Sequence, residues 1–170
     1  MQSGLAAAHK ALTGISIGDA FGESFFGATS RMKAAIAERQ LPETSWQFTD
    51  DTIMAIPIYE SLQRFDGVDQ EYIVQRFLEN YQHDPERGYG PSMHHFFRAV
   101  EEGANWKDIA AGKFEGMGSM GNGGAMRSAL IGACFSNDMD RVASEAELAC
   151  MVTHTNVEAV CGSIAVAKAC

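Results

Sequence analysis

Phe48-Thr49-Asp50-Asp51-Thr52 sets two carboxylates side by side with a hydroxyl on each flank. Adjacent carboxylates repel, so they persist where a cation or fixed donors offset their charge. A helix beginning here supplies part of that offset through its unpaired N–H groups and positive dipole end. Hard divalent cations such as Mg2+ supply more, because they favour carboxylate and hydroxyl oxygens. Successive helical residues point about 100° apart, at roughly 3.6 residues per turn. Asp50 and Asp51 therefore suit two neighbouring ions better than chelation of one. A second reading needs no metal: Thr49 caps the helix, and the two aspartates complement its dipole.

Two further segments have chemistry-bearing composition. Gly116 to Gly124, reading Gly-Met-Gly-Ser-Met-Gly-Asn-Gly-Gly, precedes a helical pattern. Glycines let backbone approach a ligand closely, and free N–H groups before a helix form an anion nest suited to a diphosphate. A flexible surface loop is the alternative, and without a preceding strand the segment is no dinucleotide fingerprint. Thr153-His154-Thr155-Asn156 lies between two helical stretches, where His154 either donates to a ligand or caps helix ends. The pair His94-His95 carries no assigned role, with at least one ring at the surface.

The elements that position these residues read as helix after helix. Ser3 is expected to cap a first helix with Leu5, Ala8, Leu12 and Ile15 on one face, followed by a glycine-rich stretch from Gly14 to Gly27. Ser30 caps a short helix stopping at Leu41-Pro42. Thr49 opens the next, ended by Asp66-Gly67, with a kink or break expected at Pro57. Asp69, Pro91, Asn105, and Thr155 or Asn156 start others. Ala125 to Phe135 and Met139 to Val152 also read as helices. No strand-like alternation of useful length occurs. The expected fold is all-α, a single domain over residues 1–170.

The chain has 170 residues, 46% hydrophobic and 21% charged, with formal charge −9. It can bury about 70% of the surface exposed by its unfolded form. The negative charge argues against nucleic-acid or anionic-membrane partners. No apolar run approaches a membrane span, and the expected compartment is cytoplasmic. Cys134, Cys150, Cys161 and Cys170 form no Cys-x-x-Cys pair and are expected to be reduced and buried.

Gly18-Asp19-Ala20-Phe21-Gly22, Thr49-Asp50-Asp51-Thr52, Gly121-Asn122-Gly123-Gly124-Ala125-Met126-Arg127 and Thr153-His154 through Ala159 occur in that order. Together they resemble the ADP-ribosylglycohydrolases, the dinitrogenase-reductase-activating and ADP-ribosylarginine hydrolase family, over nearly the whole chain. The resemblance implies a compact orthogonal multi-helix bundle with a binuclear Mg2+ or Mn2+ centre. It implies hydrolysis of the glycosidic bond between ADP-ribose and a protein side chain or small molecule. By position, Thr49, Asp50 and Asp51 match the first metal cluster. Gly118, Ser119, Gly121 and Asn122 match the loop holding diphosphate and ribose, and His154 lies near the ligand. Asp50 or Asp51 is the expected proton acceptor, and Arg127 is expected to anchor the loop from behind.

Two departures follow. A glutamate that usually follows the Gly-Asp motif in the family aligns with Phe26, leaving Glu23 as the nearest substitute acid. The family's second acidic cluster, Asp-x-Asp-Thr, has no counterpart after Asp51, so the metal-ligand set is incomplete. The last helix is still apolar at Cys170. The chain is therefore expected to be the N-terminal part of a family domain, or a short relative that self-associates through uncovered apolar faces. A non-catalytic ADP-ribose-binding or structural relative is the alternative reading.

Overall fold

The computed structural model describes residues 2–26, 29–41, 43 and 45–170, excluding the side chains of 29–31. The expected start at Ser30 and stop at Pro42 bear on this gap: Ser30 lies inside a helix with its side chain outside the description, and Pro42 lies outside it altogether. Among the described residues the structure is helical and contains no strand. The elements are α1 (Gln2–Glu23), α2 (Thr29–Ala37), α3 (Asp50–Phe65), α4 (Gln70–His83), α5 (Pro91–Glu101), α6 (Trp106–Gly112), a 3-10 turn (Ala125–Arg127), α7 (Ala129–Cys134), α8 (Met139–Met151) and α9 (Val157–Ala169).

Side-chain caps start several of these helices. Thr49, Asp69, Asn105, Asp138 and Asn156 accept from the first-turn N–H groups of α3, α4, α6, α8 and α9. Each such cap contributes about 1 kcal/mol. Pro91 occupies the first position of α5, where a missing N–H is harmless.

The sequence reading needs four corrections. Ser3 lies within α1 and does not cap it, and the helix runs through Gly14, Gly18 and Gly22 to Glu23. Each interior glycine costs about 1 kcal/mol, but packing of α1 against α7 and α3 holds the helix together. Pro57 does not split α3. It leaves the carbonyl of Ile53 without its usual partner, and the side-chain amide of Asn80 on α4 donates to it at 3.4 Å. The stretch from Ala125 to Phe135 divides at Ser128, whose N–H and hydroxyl both donate to the Ala125 carbonyl at 3.2 and 2.9 Å. That occupied carbonyl favours the tighter i to i+3 turn. Of the cysteines only Cys150 is buried; Cys134 is half-buried, Cys161 and Cys170 are exposed, and all are free thiols.

The core gathers Met54, Ile58 and Leu62 of α3, Ile73 and Phe77 of α4, Phe96 and Phe97 of α5, and Leu130 and Ile131 of α7. These are the helical faces legible from apolar spacing. Helix α7 sits against α9 with backbone nearly touching: a Cβ on Gly132 would lie 1.8 Å from the carbonyl oxygen of Ala167. This contact settles α9, and with it the α8–α9 junction carrying His154. No helix among the described residues is long and apolar enough to cross a membrane.

Candidate functional site

The start of α3 is built around Asp19, which α1 carries to it. Asp19 Oδ2 accepts from the Thr49 N–H at 2.8 Å, the Thr52 N–H at 3.1 Å and the Thr52 hydroxyl at 2.6 Å. Its Oδ1 accepts from the Thr49 hydroxyl at 2.7 Å. Thr49 Oγ1 in turn caps the helix, receiving the Asp51 N–H at 3.4 Å. The capping reading of Thr49 is thus realised in the geometry. The Thr49 hydroxyl proton belongs to Asp19, and only an oxygen lone pair remains for a cation.

Asp50 and Asp51 stand half-buried beside this knot. Burial first, then the neighbouring Asp51 charge, pushes the Asp50 carboxyl up to about 6. Burial and Asp19 push Asp51 upward as well. Such crowding of like charges is what a bound cation relieves. The loop before α5 closes on the same spot. Gly88, at φ 92°, brings its Cα region against Thr49 and Asp50 Oδ1, and the Tyr89 hydroxyl is raised by burial and by the Asp50 charge.

The glycine segment folds over His154. A Cβ on Gly123 would meet the His154 ring at 2.4 Å, and one on Gly118 (φ 73°) would meet the Thr155 hydroxyl at 2.3 Å. Both positions therefore require glycine. The loop is tied down by Gly118 N–H to the Lys113 carbonyl (2.9 Å) and by the Asn156 side-chain amide to the Met117 carbonyl (2.9 Å). Ser119 is buried and accepts from the Gly121 N–H at 3.2 Å. Among the described residues, the N–H groups of Asn122 and Gly123 meet no protein acceptor. Those donors give the loop the character of an anion nest.

His154 is buried, and its Nδ1 lies 2.7 Å from the Thr153 hydroxyl. That hydroxyl accepts from Arg127 Nη2 at 2.8 Å, and Nδ1 is the acceptor within reach of its own proton, which favours the tautomer that leaves Nδ1 bare. The imidazole is then protonated at Nε2, which faces Gly121. Burial, then Arg127 and Lys113, hold the His154 pKa down to about 3, so the ring is a neutral donor at physiological pH.

Arg127 joins the two halves. It is fully buried, lies over the Phe77 ring at 5.0 Å and donates to the Ala149 carbonyl at 2.9 Å. Its Nη1 is 4.0 Å from Met54 Sδ, one turn along α3 from Asp50, and the two charges feel each other. The guanidinium thus spans from Met54 of α3 to Thr153, the residue beside His154.

A model of the ADP-ribosylglycohydrolase family matches residues 2–170. The chain belongs to this family. The human ADP-ribosylhydrolase ARH3 is 37% identical to this chain over 112 residues, covering 64% of the chain and 30% of the human protein. The zebrafish (Danio rerio) ADP-ribosylhydrolase ARH3 is 32% identical over 155 residues, covering 85% and 41%. The Xenopus tropicalis ADP-ribosylhydrolase ARH3 is 30% identical over 166 residues, covering 92% and 47%. The chain thus spans less than half the length of these relatives.

The remaining expected site residues fall as follows. Glu23 is exposed at the end of α1; its charge reaches Asp51, but as the weakest of the influences on that group. Phe26 is 79% exposed. For a hard cation, Asp50 and Asp51 fit in charge and donor type, with a Thr49 lone pair alongside. Among the described residues no three His, Cys, Asp or Glu side chains gather as a metal group. The donor set therefore suits an ion that takes further oxygens from water or ligand. The sequence reading did not single out Asp19 or Thr153 for their roles, nor Asn156 as the tie to the Met117 carbonyl. Asp19 stood inside a quoted motif, yet no spacing rule links it to residues 30 and more positions away.

Proposed function

We propose that this chain forms the ADP-ribose-gripping part of a metal-dependent hydrolase that cleaves the glycosidic bond from ADP-ribose to a protein side chain or small molecule. The observation that carries the reading is Arg127, buried between Met54 of α3 and the Thr153 hydroxyl that meets His154. The relatives named ADP-ribosylhydrolase support the same chemistry.

In this reading the N–H groups of Asn122 and Gly123 hold the diphosphate, assisted by Gly118, Ser119 and Gly121, which shape the loop. His154 contributes a neutral Nε2–H donor. Binding energy from that end positions the anomeric carbon near Asp50 and Asp51. Bond cleavage there builds oxocarbenium character. Asp50, with a pKa near 6, is ionised at neutral pH and basic enough to accept a proton from attacking water. Thr49, Asp50 and Asp51 would hold Mg2+ or Mn2+, which when bound lowers the pKa of water and fixes ribose hydroxyls.

The experiment is incubation with peptides carrying ADP-ribose on arginine or serine, with Mg2+ or with chelator, following release of free ADP-ribose. Metal-dependent release supports hydrolysis. The exposed position of Glu23 favours a second reading, a relative that binds ADP-ribose without cleaving it. Calorimetric binding with intact peptides after long incubation selects that reading. Self-association through exposed apolar side chains such as Phe26 and Val157 belongs to the same proposal, and light scattering that returns a monomer removes it.

A further inference from the structure

Lys113 is the first residue of the loop's anchoring turn, because its carbonyl receives the Gly118 N–H at 2.9 Å. Its side chain is half-buried and turns onto α5. There the ammonium lies 5.1 Å from the Phe96 ring centroid and 3.7 Å from Met93 Sδ. Both are soft, weakly offsetting partners. Arg76, Arg87 and Arg141 each face a carboxylate. Among the described residues, Lys113 makes no ion pair.

The titratable groups whose charges couple to it are Arg127 from the 3-10 turn and His154 from the α8–α9 junction, while α5 presents Met93 and Phe96. Lys113, Arg127 and His154 thus stand close enough to feel one another, and the carboxylate whose charge reaches this group is Asp50, through Arg127 and not through Lys113. Burial first, then Arg127, lowers the Lys113 pKa to about 8. An ammonium so placed gains most from an anionic ligand.

Resting on the ADP-ribose reading above, we propose that Lys113 is a phosphate-binding residue, its ammonium meeting the diphosphate held by the glycine loop. A phosphate at hydrogen-bond distance favours the charged amine, so binding near pH 8 draws a proton from solvent. Adenosine, lacking phosphate, draws none.

The test is titration calorimetry of the full chain with ADP-ribose and Mg2+ at pH 8, in two buffers of different ionisation enthalpy. The expected result is uptake of roughly 0.5 proton per ligand, since a group with pKa near 8 is half charged when free. Lys113→Met is expected to abolish the uptake and weaken binding about tenfold at low salt. Lys113→Arg is expected to retain the affinity and abolish the uptake. Circular dichroism confirms that each variant folds. ADP-ribose binding with no proton uptake, or with uptake unchanged in Lys113→Met, overturns the Lys113 assignment alone. Absence of any ADP-ribose binding by the wild-type chain overturns both this assignment and the functional reading beneath it.

Discussion

Asp19 Oδ2 receives both the backbone N–H and the hydroxyl of Thr52, at 3.1 and 2.6 Å, across 33 residues of sequence. One carboxylate on α1 thereby fixes the first turn of α3 and the direction in which Asp50 and Asp51 point. Hydrogen bonds to a charged group contribute about 1.5–3 kcal/mol each, though they are not additive. Asp19→Ala is expected to lose about 2–4 kcal/mol in urea denaturation and to weaken Mg2+-dependent ADP-ribose binding. Asp19→Asn keeps some acceptor capacity and should fall between that variant and wild type. Unchanged denaturation midpoints would remove the role assigned to Asp19.

The glycine loop has no room for side chains where it crosses the α8–α9 junction. Gly123→Ala places a methyl against the His154 ring, and Gly118→Ala adds an unfavourable positive φ to its clash with Thr155. Overpacking of this kind costs about 1–3 kcal/mol. Both variants should lose ADP-ribose affinity at least about tenfold. Gly112→Ala, where nothing lies within 4 Å of the added methyl, is the matched control and should bind normally.

Asp50 carries a pH signature. Its pKa in the fold, about 6, lies above the ordinary 3.8, so folding favours the protonated form. The associated stability is fully present below pH 3.8 and is lost as pH rises through about 6. Asp50→Asn is expected to melt about 2–4 °C higher than wild type at pH 7, with the difference vanishing at pH 4. Mg2+ should stabilise the wild type at pH 7 more than the variant. A variant that melts lower at pH 7 would contradict the account.

Histidine 154 titrates in the opposite sense. Its pKa falls from 6.5 to about 3 on folding, so the stabilisation it brings is present above pH 6.5 and is lost as pH falls toward 3. His154→Gln should flatten the acid limb of the stability profile between pH 6 and 4. Nitrogen-15 chemical shifts should show a neutral ring protonated at Nε2 at pH 7. In Thr153→Val the hydroxyl donor to Nδ1 is gone, and the tautomer ratio should shift toward Nδ1–H.

Removal of Arg127 leaves the Ala149 carbonyl without the partner seen at 2.9 Å and frees the Thr153 hydroxyl. Each buried polar group so orphaned costs about 1–3 kcal/mol. Arg127→Met is expected to destabilise the chain by about 2–5 kcal/mol in urea denaturation. The same variant should broaden or shift the His154 ring resonances, a readout that loss of packing elsewhere leaves untouched.

Much was legible because it is local. Caps at Thr49, Asp69, Asn105 and Asn156, and the apolar faces of α3, α4 and α5, follow from the order of neighbouring residues. Thr49, Asp50, Asp51 and the loop from Gly116 to Gly124 stand out for their unusual composition, as do Gly18-Asp19 and Thr153-His154. The course of α1 through three glycines was not legible, because intrinsic propensity argues against it and only contact with α3 and α7 reverses the balance. Nor was the unbroken α3, whose freed Ile53 carbonyl is answered by Asn80 from another helix.

The one-dimensional order of residues determined which groups could do chemistry and which stretches coil into helices, since both depend on neighbours within a turn or two. Tertiary structure alone decided that Asp19 organises the α3 start, that Arg127 reaches both α3 and Thr153, and that His154 is neutral. Those properties arise from hydrogen bonds and desolvation between segments tens of residues apart. Such distances carry no periodic signal along the chain; the packing of α1, α7 and α9 creates them.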